Sequence, residues 1–542
     1  APEVRQAVME LSCRYFEERR PLHTSLGASF IRLARQRWSR PAMDDTTGRE
    51  LTWGHSLAGA VALSRLLRRR TEGQDTVGIL LPPSVGGALV NLALTLLRKT
   101  TVNLNFTVSA EAFRSALEQA RLQTIVTSRT FVEKFPQFAD LPGLLYVEDL
   151  RDAITPVARV RALLAARLAP VAWLTRLRGA SADDVATIIF SSGTTGSPKG
   201  VMLTHHNIAS NVESYSMVFR PTETDHLCAT LPLFHSFGFT CGIWFPALAG
   251  IRVSYHVSPL DAGKVAEMVR TRKCTAIFVT PTFLMAYLRK AQREDFATLR
   301  VVVAGAEKLK PRLADAFEER FGIRPLEGYG ATELSPVAAL SLPNEEVDGV
   351  YQTGHKEGAV GQPVPGVAAR IVDPDTGAPV AAGHDGLLLI KGPNVMKGYL
   401  DRPDLTSQAV VDGWYRTGDM AQMDEEGFIT ITDRLARFSK IGGEMVPHLA
   451  VEDVYLKALN TAEHLVAVTS VACDKRGERL VVLHTAVAGD PARLHEIMQA
   501  SELPNLWKPG RDAYVQVDAI PVTGTGKLDV KGLRAAALAK AE

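Results

Sequence analysis

The sequence predicts a layered α/β protein, with a large N-terminal α/β domain followed by a small α+β unit. Three observations predict it. Apolar, β-branched strands alternate with helical patterns from 51 to 150 and again from 186 to about 345, the pattern of sheets covered by helices. Residues 361–432 are rich in Gly and Pro with short strands, and the pattern changes again near 433. A chain of 542 residues is also too long for one core, so about two to four structural units are expected.

Composition narrows the class. A hydrophobic fraction of 46% and a charged fraction of 22% are ordinary for a globular protein. A net charge of +2 gives no support for bulk nucleic-acid binding. Cys13, Cys228, Cys241, Cys274 and Cys473 are scattered, with no C-x-x-C pair or metal-ligand spacing, so a reducing cytoplasm fits best. No signal-peptide pattern opens the chain, and no apolar run reaches the ~18 residues of a membrane span. The chain starts Ala1-Pro2 without Met and reads as a processed chain or a piece of a longer polypeptide.

Taken in order, residues 1–45 read as a helical, amphipathic segment carrying Arg32, Arg35, Arg37 and Arg40. Gly48-Arg-Glu-Leu-Thr-Trp53 reads as a strand entering a helix, Thr76–Leu81 as a strand and Gly86–Leu97 as an apolar helix. Residues 153–182 hold Arg159, Arg161, Arg167, Arg176 and Arg178 but no acid, beside Leu163, Leu164, Leu168, Val171, Trp173, Leu174 and Leu177. Pro170 ends or kinks a helix there. Such a helix can lie on an anionic membrane surface, dock an acidic partner, or simply pack on its own domain with solvated arginines. Ala276–Val279 and Leu299–Val303 read as buried parallel strands, 361–432 as a small β-barrel or distorted sheet, and 433–542 as a compact α+β unit.

The most informative stretch is Ser191-Ser-Gly-Thr-Thr-Gly-Ser-Pro-Lys-Gly200, directly after the apolar run Ala186–Phe190. Gly193, Gly196 and Gly200 let the backbone fold tightly around an anion. Ser191, Ser192, Thr194 and Thr195 can donate to phosphate oxygens, and Lys199 adds a charge. The Walker A spacing is absent. Further segments follow in order: LPLFHSFG (231–238), EGYGATE (327–333), GLLLIKGPNVMKGYL (386–400), YRTGD (415–419), DRLARFSKIGGE (433–444) and PVTGTGK (521–527).

This series resembles the AMP-forming adenylating superfamily over nearly the whole chain. VNLNFTVS (102–109), YVEDLRDAIT (146–155), AGAEKL (304–309) and KIGGEMV (440–446) narrow it. With them it looks like the acyl-[acyl-carrier-protein] synthetase half of the bifunctional 2-acylglycerophosphoethanolamine acyltransferase. The resemblance implies two sheets plus a small β-barrel in an AMP-binding domain over 46–432, a mobile lid over 433–542, and a segment 1–45 that joins an upstream acyltransferase domain. It implies ATP and Mg²⁺, a long-chain fatty acid, acyl-carrier protein, and an acyltransferase upstream or on a partner chain. The place it implies is the cytoplasm or the cytoplasmic face of a bacterial inner membrane, with peripheral contact.

Residue roles follow from chemistry and resemblance together. Bringing a carboxylate to the α-phosphate of ATP joins two anions, so cations and oriented donors are needed. Lys527, flanked by Gly524 and Gly526, matches the lysine that bridges carboxylate and α-phosphate. Glu333 is a hard oxygen ligand for Mg²⁺, the role of the family's motif glutamate, or a helix-capping acid beside Thr332; Thr332 is a phosphate donor. Asp419 matches the aspartate that accepts from the ribose hydroxyls, and Arg434 the arginine at ribose or phosphate; a plain ion pair competes for both. Tyr329 stacks on adenine in the family pattern, followed by Gly330, with Gly305, Ala306 and Glu307 as the opposite edge; a core tyrosine is the alternative. His235 sits where the family has a histidine between acyl pocket and carboxylate, or is a core histidine. Phe237, Phe239, Trp244 and Phe245 line an acyl tunnel or are simply core. Lys440, Gly442 and Gly443 serve thiol transfer by analogy, after the lid turns.

Two positions depart from the family pattern. Ala436 stands where the hinge is usually Asp or Lys, so the swivel is expected at Arg437 or eased by lost contacts. Asp385-Gly386-Leu387 replaces E-G-E. The H-x4-D spacings at His256/Asp261 and His448/Asp453 lack the other acyltransferase elements and read as chance. Three rival readings remain: a coenzyme A ligase, a non-catalytic nucleotide- or acyl-binding subunit, and an amino-acid-activating domain.

Overall fold

The computed structural model describes residues 2–23, 25–176, 180–191, 198–441, 444–459, 464–473, 477–522 and 528–541. Among these residues the chain builds four sheets of five or more strands. The largest has nine, in the order Gln362–Pro363, Val337–Leu340, Leu326–Gly330, Val301–Ala304, Ala276–Val279, His226–Ala229, Arg252–Tyr255, Pro41–Asp45 and Glu50–Thr52. From Leu326–Gly330 to Pro41–Asp45 the strands run parallel, and antiparallel strands flank both ends. The second sheet has seven: Gly398–Tyr399, Lys199–Thr204, Val185–Ser191, Thr100–Asn103, Thr76–Ile79, Ile125–Thr127 and Leu144–Tyr146.

One apolar core joins these two sheets, with Ile189 and Leu203 from the second meeting Val253, Phe278 and Val303 of the first. The helices Leu26–Gln36, Trp53–Arg70, Val85–Leu96 and His205–Phe219 contribute to it. A separate cluster, with Val265, Leu284 and Phe317, lies under the helices Ala262–Arg272, Pro281–Lys290 and Pro311–Phe321 on the nine-stranded sheet. This is the layered α/β architecture the strand–helix alternation predicts.

Residues 361–432 form an antiparallel sheet of Ala368–Val372, Gly386–Lys391, Trp414–Met423, Val410–Val411 and Ile429–Arg434. Its register shifts between Leu387 and Leu389 and between Met420 and Ala421, so it takes the distorted-sheet form rather than a closed barrel. The fourth sheet, Glu444–Pro447, Phe438–Ile441, Gly477–His484, Val466–Cys473 and Tyr514–Gln516, belongs to the C-terminal unit. Two apolar clusters, one around Val451 and Val482 and one around Val481 and Leu533, draw only on residues from 441 onward.

The segment 1–45, expected as a helical linker, is instead part of the body. On the helix Pro2–Glu18, Cys13 Sγ donates to the Gly366 carbonyl at 3.2 Å, and Ser12 Oγ accepts from the Gly366 N–H at 2.8 Å. His23 and the buried His206 meet through their Nδ1 atoms at 3.0 Å. The last five residues are the strand Pro41–Asp45, not helix, because a residue preceding proline, here Arg40, is steered away from helical backbone. His256 lies 2.9 Å from Thr46 Oγ1, and His448 lies 2.5 Å from Ser439 Oγ; both are buried. Among the described residues no helix is long and apolar enough to cross a membrane.

Candidate active site

The strands Val185–Ser191 and Lys199–Thr204 pair antiparallel, with Ser191 opposite Lys199. The loop between them carries Ser192, Gly193, Thr194, Thr195 and Gly196, which lie outside the described residues. At its C-terminal end the Lys199 ammonium stands 5.2 Å over the ring of Tyr399, a cation–π distance. Tyr399 comes from the adjoining edge strand, opposite Val201. Its hydroxyl donates to Glu333 Oε1 at 2.9 Å. Burial, then the Glu333 charge, holds that phenol above its ordinary value, so it stays a donor.

Glu333 sits on the one-turn helix Thr332–Leu334. Asn394 pins that turn, donating to the Leu334 carbonyl at 3.0 Å, while the Met396 N–H donates to the Glu333 carbonyl at 2.8 Å. Ser236 Oγ reaches Thr332 Oγ1 at 3.4 Å, tying the LPLFHSFG loop to the same spot. A half-buried carboxylate oriented by a phenol, beside the phosphate loop's lysine, fits a Mg²⁺ ligand.

On the other side, Tyr329 OH donates to Asp419 Oδ2 at 2.6 Å, and Arg434 Nε lies 3.1 Å from Asp419 Oδ1. Asp419 and Arg434 are also register partners across two antiparallel strands. The Asp419 N–H donates to Thr417 Oγ1 at 3.0 Å, and Gly418 takes a left-handed φ of 75° that makes the turn. The Asp419 side chain is only 8% exposed whereas Arg434 is 59% exposed. Burial, then Asp419, raises the Tyr329 phenol well above its usual range. Tyr415 is raised by burial and then by Glu333, Tyr399, Tyr329 and Asp419, and the four-residue step from Tyr329 to Glu333 ties the two clusters together along the chain.

The expected base-edge residues divide. The Phe237 ring lies against Gly305, where an added Cβ would meet it at 3.3 Å. Ala306 takes a left-handed φ of 68°. Glu307 turns away to cap the helix Pro281–Lys290, its Oε2 accepting from Thr282 Oγ1 at 2.7 Å. Gly330 has no alternative, because a Cβ there would stand 2.1 Å from the Pro336 carbonyl.

His235 is exposed, just before the short helix Ser236–Phe239, with its ring 4.6 Å from Phe234; it is not a core histidine. Phe239, Trp244 and Phe245 are buried core. Of the four expected tunnel aromatics only Phe237 borders the small cavity of about 10 Å³ that Thr230, Gly242 and Phe278 also line. The wide π-turn Thr240–Trp244 passes this cavity, held by Tyr255 OH on the Gly242 carbonyl at 2.9 Å.

On the C-terminal side Lys440 lies in the strand Phe438–Ile441, while Gly442, Gly443 and Lys527 lie outside the described residues. Arg437 is held by Glu452 at 2.6 Å and faces Asp433 at 3.8 Å. Burial opposes its charge, but the two carboxylates outweigh burial and raise it. Glu452 accepts from the Val468 N–H at 2.7 Å and is pushed up to about 7 by burial, against the pull of Arg437. The Arg437 side chain is thus fastened into the C-terminal unit.

Tyr399, Tyr415 and Thr417 were missed by sequence reasoning, although each stands inside a recognised motif. The signal was a hydroxyl in an otherwise apolar or glycine-rich strand end.

A family model described as AMP-binding enzyme matches residues 30–400. The chain is 31% identical to 4-coumarate–CoA ligase 3 of Oryza sativa subsp. japonica over 513 residues, 92% of this chain and 89% of that one. It is 32% identical to the long-chain-fatty-acid–CoA ligase of Escherichia coli O6:H1 over 320 residues, 58% of this chain and 54% of that one. The fold matches ATP-bound MatB of Rhodopseudomonas palustris with a TM-score of 0.76 at 24% identity, over 94% of this chain and 98% of that one. With family and fold in agreement, the chain belongs to the AMP-binding enzymes, the AMP-forming adenylating superfamily, and is an acid–thiol ligase.

Proposed function

We propose that the chain activates a long-chain fatty acid with ATP and Mg²⁺ and transfers the acyl group to the phosphopantetheine thiol of acyl-carrier protein, feeding lysophospholipid reacylation. The observation that carries the adenylation step is a pair of clusters joined along the segment Tyr329–Glu333: Lys199–Tyr399–Glu333 at the phosphate end and Tyr329–Asp419–Arg434 at the ribose end. A carboxylate oxygen of the acid attacks the α-phosphorus, and the bond to pyrophosphate breaks. Glu333 would hold Mg²⁺, which would offset phosphate charge there. Asp419 exchanges its Tyr329 and Arg434 partners for the ribose hydroxyls, which frees Arg434 for phosphate. Lys527 then enters to offset the charge of the two meeting anions. In the second step residues 433–542 turn, the thiol sulfur attacks the acyl carbonyl, and AMP leaves with the electron pair.

The motif series supports carrier protein as acceptor. The E. coli relative's name supports a second reading, coenzyme A as acceptor. Labelled palmitate with ATP and either thiol decides: thioester on carrier protein alone supports the proposal, and thioester on coenzyme A alone overturns it. Fatty-acid-dependent pyrophosphate release should fall by roughly a thousandfold in Lys527→Ala; retained release would remove the role given to Lys527 and reopen the non-catalytic reading.

A further inference from the structure

The helix Pro156–Leu168 is built inside out. Its inward residues are alanines: Ala162 and Ala166 are 1% and 0% exposed, and Ala158, Ala165 and Ala169 are half-buried. They pack on the helix Trp53–Arg70. Its larger apolar residues point out. Val157, Val160, Leu164 and Leu168 are 60%, 58%, 54% and 74% exposed. Their spacing of i, i+3, i+7 and i+11 is one helical stripe, and it lies on the solvent side. Past Pro170 the turn Val171–Leu174 adds Trp173, 78% exposed. Small residues inward let the two helices approach closely, so the fold explains the alanines; nothing in the fold explains four aliphatic side chains and a tryptophan turned to water.

The charge around the stripe says what covers it. Residues 153–182 carry five arginines and no acid. At about 100° per residue, Arg161 falls on one shoulder of the stripe and Arg167 on the other, while Arg159 lies on the far side. Among the described residues no carboxylate pairs with Arg159, Arg161, Arg167 or Arg176. Arg167 is partly spoken for: it lies 5.1 Å over the Trp38 ring and donates to the Arg35 carbonyl at 3.1 Å. We propose that the outward face of Pro156–Leu168, with Trp173, seats on an anionic phospholipid bilayer. The aliphatic row enters the acyl boundary, Trp173 sits at headgroup level, and Arg161, with Arg167 on the opposite shoulder, meets lipid phosphates. A single exposed helix offers a ridge rather than a groove, which suits a soft, laterally uniform surface better than a protein partner. The proposal holds whichever thiol accepts the acyl group.

The full chain is sedimented with phosphatidylglycerol–phosphatidylethanolamine vesicles and with phosphatidylcholine vesicles. Binding to the first and weak binding to the second are expected. Leu164→Ser/Leu168→Ser/Trp173→Ser should weaken binding by roughly tenfold or more, and Arg161→Gln/Arg167→Gln should weaken it and flatten its salt dependence. Fatty-acid-dependent pyrophosphate release in vesicle-free buffer should stay at the parent level in both. Equal vesicle binding by parent and serine variant overturns the proposal. So does a parent chain that ignores vesicles but dimerises through this face, with the serine variant monomeric, or one whose arginine variant loses only acyl-carrier-protein affinity.

Discussion

Arg434 and Arg437 stand three residues apart and do opposite things. Arg434 is largely exposed and reaches back to Asp419 on the neighbouring strand of the large body. Arg437 is 12% exposed and reaches forward to Glu452 of the C-terminal unit. The difference teaches which of the two guanidinium groups can change partners. A guanidinium paired at the mouth of a cleft can exchange its partner for a ligand; one buried against a buried carboxylate cannot leave without stranding a charge. Residues 435 and 436 are the stretch between two anchorages.

The sharpest way to break this contrast is Arg437→Met. It leaves Glu452 buried without its cation and should cost about 3–5 kcal/mol in thermal or denaturant unfolding of the C-terminal unit. Arg437→Met/Glu452→Met should recover most of that loss, because the charge is then gone with its partner. A single variant as stable as the parent would remove the anchoring role.

A second contrast concerns two buried carboxylates. Glu452 in the C-terminal unit has an arginine; Glu327 in the body accepts the Leu309 N–H at 3.0 Å, with Lys308 contributing only at a distance. Burial pushes Glu327 up to about 7 from an ordinary 4.5. Its folded value is raised, so its contribution to stability is fully present below 4.5 and is lost as pH rises through 7. Glu327→Gln keeps the acceptor and removes the charge. The variant should be more stable than the parent at pH 8 by about 3 kcal/mol, with the gap closing toward pH 5. A gap that does not change with pH would show that Glu327 is not buried as a titrating acid.

Arg434→Ala is the counterpart to Arg437→Met. It should lower kcat/KM for ATP in the pyrophosphate-release reaction by roughly a hundredfold while leaving the unfolding midpoint in place. Matching losses of stability in both variants would erase the distinction between the two arginines.

Much of this was legible in the sequence because each motif is local. Strand Ala276–Val279 stands where its β-branched run places it, and Asp419 contacts both Tyr329 and Arg434, residues of separate motifs. What was not legible depends on contacts made far along the chain. Glu307 belongs to a helix cap 25 residues upstream, which composition cannot show. Arg437 looked like a free hinge because its partner Glu452 lies in the next helix. Residues 1–45 looked like a linker because the glycine that docks them, Gly366, is more than 300 residues away. The inverted helix Pro156–Leu168 carried its leucines in plain view, but only packing reveals that the alanines face inward.

The smallest effect isolates the phosphate end from the ribose end. Tyr399 touches two groups of the proposed site at once: its ring lies under the Lys199 ammonium and its hydroxyl orients Glu333. Tyr399→Phe keeps the ring and deletes the hydrogen bond. A hydrogen bond to a charged group contributes about 1.5–3 kcal/mol, less where water can replace it, and Glu333 is only half-buried. The variant should therefore need about five- to tenfold more Mg²⁺ for half-maximal pyrophosphate release, with little change in KM for ATP at saturating Mg²⁺. Tyr399→Leu removes the ring as well and should add a rise in KM for ATP, because Lys199 loses its platform. If the phenylalanine variant instead raised KM for ATP and left the Mg²⁺ requirement alone, the hydroxyl would be serving the nucleotide directly, and Glu333 would lose its claim to the metal.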